Sequence, residues 1–401
     1  MARRLRLLPG ADARQGLVAL VLNSSTSLGA GAVLGSLTET FERRPGLLVL
    51  VPAAIGLRGN VFGSLGNRVS TSIHAGELQL RLRRSTLLGQ NVLASSALTL
   101  GMSALLVLIV ALVSTGMGLG HTIGLADLAL VSVGGGAIAS LPVLAATLGL
   151  ASGAVRFGWD LDNVCAPLVS TLGDVLTLPA LWLATGLLGM GLVTSGLGWG
   201  LALAALVALG FGIGSSLPQL RRIVRTSLPV LLAAGTISAL AGVVLERRLV
   251  TFSALPALLI LVPAHLSSAG ALGGILSGRL SSQLLLGLAP PSAVPSKAAR
   301  QDLALVAGLS IPVFTLNGLG AWAVAHLLGQ SSPGIGYLVG ASLLGGVSAM
   351  VVVVAIAYYG AIAAVRTGID PDTYGIPLVS STVDLVGALT LIVAIAVLGL
   401  T

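Results

Sequence analysis

The chain breaks into eleven apolar runs, most of them about 20 residues or longer and almost free of charge, and this pattern limits what it can fold into more than any other feature. The runs are residues 16–37, 46–73, 89–114, 124–151, 164–188, 191–214, 228–246, 254–288, 303–328, 335–362 and 376–400. About 20 apolar residues suffice for a helix to cross a bilayer. Only 8% of the chain is charged, against about 25% for a soluble domain, so a water-facing surface cannot be built. Aromatic residues make up 3%, too few for the girdles of a transmembrane barrel. The 54 glycines suit close helix contact in lipid. The sequence therefore predicts an all-α polytopic membrane protein. The basic start, MARRLRLLPGADAR, resembles a signal peptide, but the following run is too long for one and leads into the first membrane helix.

The net charge of +8 is almost entirely arginine. It reads as loop charge facing the cytoplasm, not as a nucleic-acid surface. With the N-terminus inside, the inner loops carry Arg3, Arg4, Arg6, Arg14, Arg81, Arg83, Arg84, Arg156, Arg221, Arg222, Arg225, Lys297, Arg300 and Arg366. The outer loops carry only Arg43, Arg44, Arg247 and Arg248. This predicts a multi-pass cell-membrane protein with a cytoplasmic N-terminus and an extracytoplasmic C-terminus. Cys165 is alone, which excludes a disulfide within the chain, and His74, His121, His265 and His326 lack metal-ligand spacing.

The chain repeats itself. VRFGWDLDNVCAPLVSTLGD (155–174) aligns with VRTGIDPDTYGIPLVSSTVD (365–384) at an offset of 210. The alignment superimposes Arg156/Arg366, Asp160/Asp370, Asp162/Asp372, Pro167/Pro377, Ser170/Ser380 and Asp174/Asp384. Shared apolar composition does not align three scarce aspartates, a proline and an arginine. Upstream, LVLVPAAIGLRGNVFGSLGNRVS from Leu48 matches LILVPAHLSSAGALGGILSGRLS from Leu259 at an offset of 211. The expected organisation is a five-helix repeat over 1–190, a linking helix and basic cytosolic loop over 191–226, and a second five-helix repeat over 227–401. The extra helix restores sidedness, so the halves run parallel about a pseudo-twofold axis along the membrane normal, and a single chain functions as a pseudo-dimer.

Asp174 and Asp384 stand about eleven residues into their helices, roughly 16 Å and so near the middle of a ~30 Å hydrocarbon core. A carboxylate there needs water, a partner or a cation. A structural ion pair is the plainest alternative, but the one arginine able to reach that depth, Arg58, is replaced by Ala269 in the second half. Two facing carboxylates repel, and a divalent cation removes the conflict. Mg²⁺ suits them: it is hard, dehydrates reluctantly, and binds through one or two carboxylates and waters. Ser170 and Ser380, one turn back, are candidates to hold those waters. Asp160 and Asp370, with Asp162 and Asp372, form an expected acidic ring at the cytosolic mouth, or else cap their helices. The other wall falls to the glycine-rich second and eighth runs, where Gly59 and Asn60 match Gly270 and Ala271. Arg68 and Arg279 are expected to snorkel. Glu39, Glu42 and Glu246 are expected at the outer face, solvated or drawing cations in.

The segments VPAAIGLRGN (51–60) and DLDNVCAPLVSTLGD (160–174), with LVPAHLSSAG (261–270) and DPDTYGIPLVSSTVD (370–384), resemble the MgtE-type magnesium transporter family, especially its duplicated solute-carrier branch. The resemblance implies a pore lined by helices 2 and 5 of each half. It implies hydrated Mg²⁺ as the bound and transported ion at Asp174 and Asp384, with Mn²⁺ or Co²⁺ as alternatives. It further implies mouth carboxylates at Asp160 and Asp370, and a Gly59–Asn60 contribution from the second helix. No stretch is polar and long enough for a cytosolic sensor domain, so an archaeal or bacterial homologue without regulatory domains is expected. Membrane lipid and a divalent cation are the expected partners, and no enzymatic activity is expected. The alternatives are a proton- or sodium-coupled transporter of another solute and an intramembrane aspartyl protease. The protease is disfavoured because neither aspartate follows a Gly-x-Gly sequence.

Overall fold

The computed structural model describes residues 9–74, 81–119, 123–157, 161–285, 290–367 and 376–400, and among these all regular structure is helical. Ten helices are long and apolar enough to cross a membrane. With the shorter helices included, the chain order is α1 (Pro9–Ser36), the short α2 (Thr38–Arg43), α3 (Leu47–His74), α4 (Leu87–Gly116), α5 (Leu125–Ala129) and α6 (Gly136–Phe157). After these come α7 (Leu161–Thr185), α8 (Leu192–Gly214), α9 (Pro218–Glu246), the short α10 (Leu249–Ala254), α11 (Pro256–Leu285), α12 (Lys297–Leu327), α13 (Ile335–Thr367) and α14 (Ile376–Val397). A π-helical turn, Leu130–Gly135, joins α5 to α6 as one span. The remaining run of the sequence, the fifth, is α7, 25 residues long, of which Thr171–Thr185 is a shorter apolar stretch.

Local chemistry sets the helix ends. Thr86 caps α4 by accepting from the amide of Gly89 at 3.2 Å, and Ser296 caps α12 by accepting from Ala299 at 3.2 Å. The same two helices stop at glycines with positive φ, Gly118 (71°) and Gly329 (64°), which stand 211 residues apart. The expected basic loop before residue 227 is shorter than the sequence suggested. Helix α9 begins at Pro218, at its first turn, because proline is pre-set for that position and Gln90 Oε1 accepts from the amides of Gln219 and Leu220.

The chain divides into two compact units. The larger holds Ser36–Ser253 and Asp372–Leu385; the smaller holds Met1–Gly35, Ala254–Pro371 and Val386–Thr401. In the larger unit α3 is central and packs on α7, α9 and α4, while α4 also carries α8 and α9. A core of Phe62, Leu65, Val69, Leu88, Val143 and Val169 lies between α3, α4, α6 and α7. In the smaller unit α11, α12 and α13 pack against one another, with α1 and the second half of α14 alongside.

These units cut across the sequence repeats, because the first helices are exchanged. Helix α9, which opens the second repeat, packs on α3 and α4 of the first. Helix α1, which opens the first repeat, packs on α11. Glycines make both contacts. A Cβ on Gly242 would collide with the backbone oxygen of Val49, and one on Gly31 with the backbone oxygen of Ile260. Gly31/Gly242 and Val49/Ile260 are both 211 apart, so one contact is built twice. Without a hydrophobic drive between helices in lipid, such close backbone approach is what selects a partner.

Substituting Gly31→Leu or Gly242→Leu forces backbone apart and is expected to cost at least roughly 1–3 kcal/mol, lowering the detergent-solubilised melting temperature. Gly29→Ala, where a Cβ meets nothing within 4 Å, leaves the melting temperature unchanged.

Candidate cation site

In the larger unit the site is assembled on α3. Gly56, Gly59, Asn60 and Gly63 recur at helical spacing and share one face. Helix α7 comes close there: a Cβ on Gly173 would sit 3.4 Å from both the Gly59 nitrogen and the Arg58 Cβ. The next residue, Asp174, is buried at 8% exposure. From the other side, Asp384 of α14 comes to Gly56, where an added Cβ would lie 3.5 Å from Asp384 Oδ2. One turn of α3 separates Gly56, beside Asp384, from Gly59, beside Gly173.

The Asp384 carboxylate is held by a residue the sequence did not single out. Ser238 of α9 donates its hydroxyl proton to Asp384 Oδ2 at 3.1 Å. Asn60, Ser238 and Ser381 also line a narrow crevice walled by Ala53, Leu57, Leu106 and Ala234. Ser381 Oγ is buried there without a partner, whereas its neighbour Ser380, the expected water holder, is only partly buried. Of the other expected site residues, Asp160, Asp370 and Asp372, and the side chains of Asp162 and Ser170, lie outside the described residues. Among the described residues no group of three or more His, Cys, Asp or Glu occurs, so the described site is a pair of acids with neutral oxygens around it.

Arg58 points to neutral partners. Its guanidinium donates to the Ala54 carbonyl at 2.5 Å and to Ser103 Oγ at 3.2 Å. It is completely buried and makes no ion pair among the described residues. Ser103 in turn accepts through its carbonyl from Ser132 of the π-turn at 2.6 Å, so the charge sits in a polar seam between α3, α4 and α6. The equivalent seam of the smaller unit is filled by rings. Ala269 replaces Arg58, Phe314 replaces Ser103 and His265 replaces Ala54, and the His265 and Phe314 rings pack with centroids 5.1 Å apart.

Two peripheral expectations change. Glu246 is not at a solvated outer face: it is buried and accepts from the Gly46 amide at 2.8 Å, closing the N-terminus of α3, whose unpaired amides favour a carboxylate. Arg68 does not snorkel freely, since Asn91 Oδ1 accepts from its Nε at 2.8 Å. In the smaller unit the equivalent Arg279 lies 3.5 Å from Asp302. Glu39 is exposed and pairs with Arg43, and Glu42 is exposed.

An all-helical, polytopic bundle with paired acids at membrane depth is the build of an ion-transporting membrane protein. The family profile described as MgtE, divalent cation transporter, matches residues 51–184 and again 262–394, so each match runs from helix 2 to helix 5 of one repeat. The chain belongs to the MgtE family of divalent cation transporters, in the duplicated form shared with the solute carrier 41 proteins. It is similar to solute carrier family 41 member 2 of Xenopus laevis, 27% identical over 97% of this chain and 72% of the relative. The human member 2 is 26% identical over 94% and 69%. Member 3 of Rattus norvegicus is 24% identical over 92% and 84%. No solved structure matches.

Ser238→Ala removes the one hydroxyl that donates to Asp384. A hydrogen bond to a charged group is worth about 1.5–3 kcal/mol, so divalent-ion affinity measured by titration is expected to change by roughly tenfold or more. Thr236→Ala, whose hydroxyl bonds only its own helix at Leu232, leaves it unchanged.

Proposed function

We infer that this chain carries Mg²⁺ across the cell membrane, binding the hydrated ion at Asp174 and Asp384. The observation that supports this most is that Asp384 lies against Gly56 of α3, bound by Ser238, while α7, which carries the repeat-related Asp174, packs at Gly59 of the same glycine face. Glycines at 56, 59 and 173 let α3, α7 and the Asp384 carboxylate approach closely without side-chain bulk between them. A hydrated dication keeps its waters and is held through one or two carboxylates. Asn60, Ser238 and Ser381 supply neutral oxygens for those waters. The path is lined by α3, α7 and the first part of α14, with the acids of Asp160, Asp162, Asp370 and Asp372 at its cytosolic mouth. The arginine distribution favours a cytoplasmic N-terminus and an extracytoplasmic C-terminus. A single chain, carrying both halves, is the working unit.

Hardness favours Mg²⁺ over softer metals. The described site offers oxygen ligands only, and the imidazole of His265 is packed against Phe314 and Gly345 in the smaller unit, so Co²⁺, which gains from nitrogen and sulfur ligands, is a weaker cargo, while Mn²⁺ shares the preference for oxygen.

The test is flux into proteoliposomes under an imposed Mg²⁺ gradient. Asp174→Asn and Asp384→Asn keep the shape of the side chain and remove its charge, and each is expected to reduce Mg²⁺ flux by roughly tenfold or more. Wild-type rates in both variants would show that the ion passes elsewhere.

A further inference from the structure

At the end of the larger unit where α4 and α9 begin, six arginines gather: Arg81, Arg83 and Arg84 before α4, and Arg221, Arg222 and Arg225 near the start of α9. Hydrogen bonds bring the two groups together. Thr86 folds the loop onto α4, its hydroxyl shared between the carbonyls of Arg81 at 2.6 Å and Arg83 at 2.8 Å. One turn on, Gln90 Oε1 accepts from the amides of Gln219 and Leu220 at 3.1 and 3.3 Å, next to Arg221. Arg225 donates from Nε to the Ile213 carbonyl at 3.1 Å, which ties the cluster to the end of α8. All six arginines are exposed, and none forms an ion pair among the described residues. The sequence holds no Asp or Glu at 78–126 or at 175–245, so α4, α8 and all but the last residue of α9 are free of acids.

Membrane sidedness does not ask for this cluster. Positive charge marks the cytoplasmic side wherever on that side it falls. The repeat has the same positions a second time with other residues. Pro291, Ala293 and Val294 stand 210 residues on from Arg81, Arg83 and Arg84, and Gly10, Ala11 and Arg14 stand 211 residues before Arg221, Arg222 and Arg225. Only Arg14 keeps the charge. Like charges brought to one place repel, and an anion among them relieves the repulsion. Beside the cluster the surface is apolar. Leu203, Val207 and Phe211 recur every fourth residue on α8 and so share one face; each is 60% or more exposed. Their stripe runs toward Ile213, whose carbonyl holds Arg225. Leu82, set among the arginines, is exposed as well.

We propose that this junction binds an anionic phospholipid of the surrounding bilayer, its phosphate among the arginines and an acyl chain along α8. Guanidinium groups meet phosphate oxygens through paired N–H donors, and the positive ends of α4 and α9 add to the field. Basic pockets between membrane helices hold headgroups of this kind. The stripe on α8 separates a lipid from a free phosphate, which has nothing to lay along an apolar face. The lipid bridges α8 to α4 and α9. The site stands apart from the Asp174–Asp384 pair and does not depend on it.

The test is the melting temperature of the purified full-length chain in detergent with added phosphatidylglycerol, phosphatidylcholine of the same acyl chains, or glycerol 1-phosphate. A ligand that binds only the folded state raises the melting temperature with its concentration. The expected result is a saturable rise with phosphatidylglycerol that the other two do not give. In Arg83→Gln/Arg84→Gln and in Arg221→Gln/Arg222→Gln the half-saturating concentration is expected to rise at least about tenfold. Either pair serves if the other does not fold. Arg43→Gln/Arg248→Gln, which removes as much charge near the far end of α9, leaves the response unchanged. An equal rise with phosphatidylcholine means that acyl chains alone act, and an equal rise with glycerol 1-phosphate means that a free phosphate suffices; either overturns the proposal. A phosphatidylglycerol response undiminished in the folded arginine variants overturns it too, as does a chain that responds to none of the three.

Discussion

Two like charges in a medium of low dielectric are the constraint around which the larger unit is arranged. A carboxylate inside a bilayer is already costly, and a second one close by adds repulsion that water does not screen. The arrangement persists only if something offsets it. Within the described residues the Ser238 hydroxyl donates to Asp384, and Asn60 and Ser381 line the crevice that Ser238 also lines. Arg58 contributes no direct contact.

That site needs three helices from two repeats, which explains the exchange of α1 and α9. Asp384 is held by Ser238, and Ser238 lies on the opening helix of the second repeat, which packs on the second helix of the first. The glycine contact at Gly242 sets the depth of α9 against α3 and with it the height of Ser238 beside Gly56. A local packing rule thereby fixes a functional hydrogen bond across a separation of 146 residues.

Much of this was legible in the sequence for physical reasons. Bilayer-length apolar runs have few alternatives to helices, and aspartates are too scarce here to align by chance, so the spans and the Asp174/Asp384 pair stood out. The exchange did not, because a lipid-facing and a helix-facing apolar surface have the same composition; only the matched glycines at 31 and 242 carry the signal, and they are two among 54. Ser238 was missed because its neighbours in sequence are apolar and its role depends on which helix it meets. Glu246 was misplaced for a related reason: its position in the chain gives its depth, but not that the open end of α3 lies against it.

Duplication within one chain also allows what a symmetric dimer forbids. In a homodimer every substitution appears twice about the axis, so a buried charge on one side must be repeated on the other. Here Arg58, Ser103 and Gly136 have the counterparts Ala269, Phe314 and Gly346; Asn91 beside Arg68 becomes Asp302 beside Arg279; and Leu57, Leu106 and Ala234 become Ser268, Asn317 and Asn23. The contacts kept identical are those that fix the backbone, Gly31/Gly242 and Gly118/Gly329 among them. Those that diverged are charges and polar side chains. The frame has stayed twofold while its electrostatics have become one-sided.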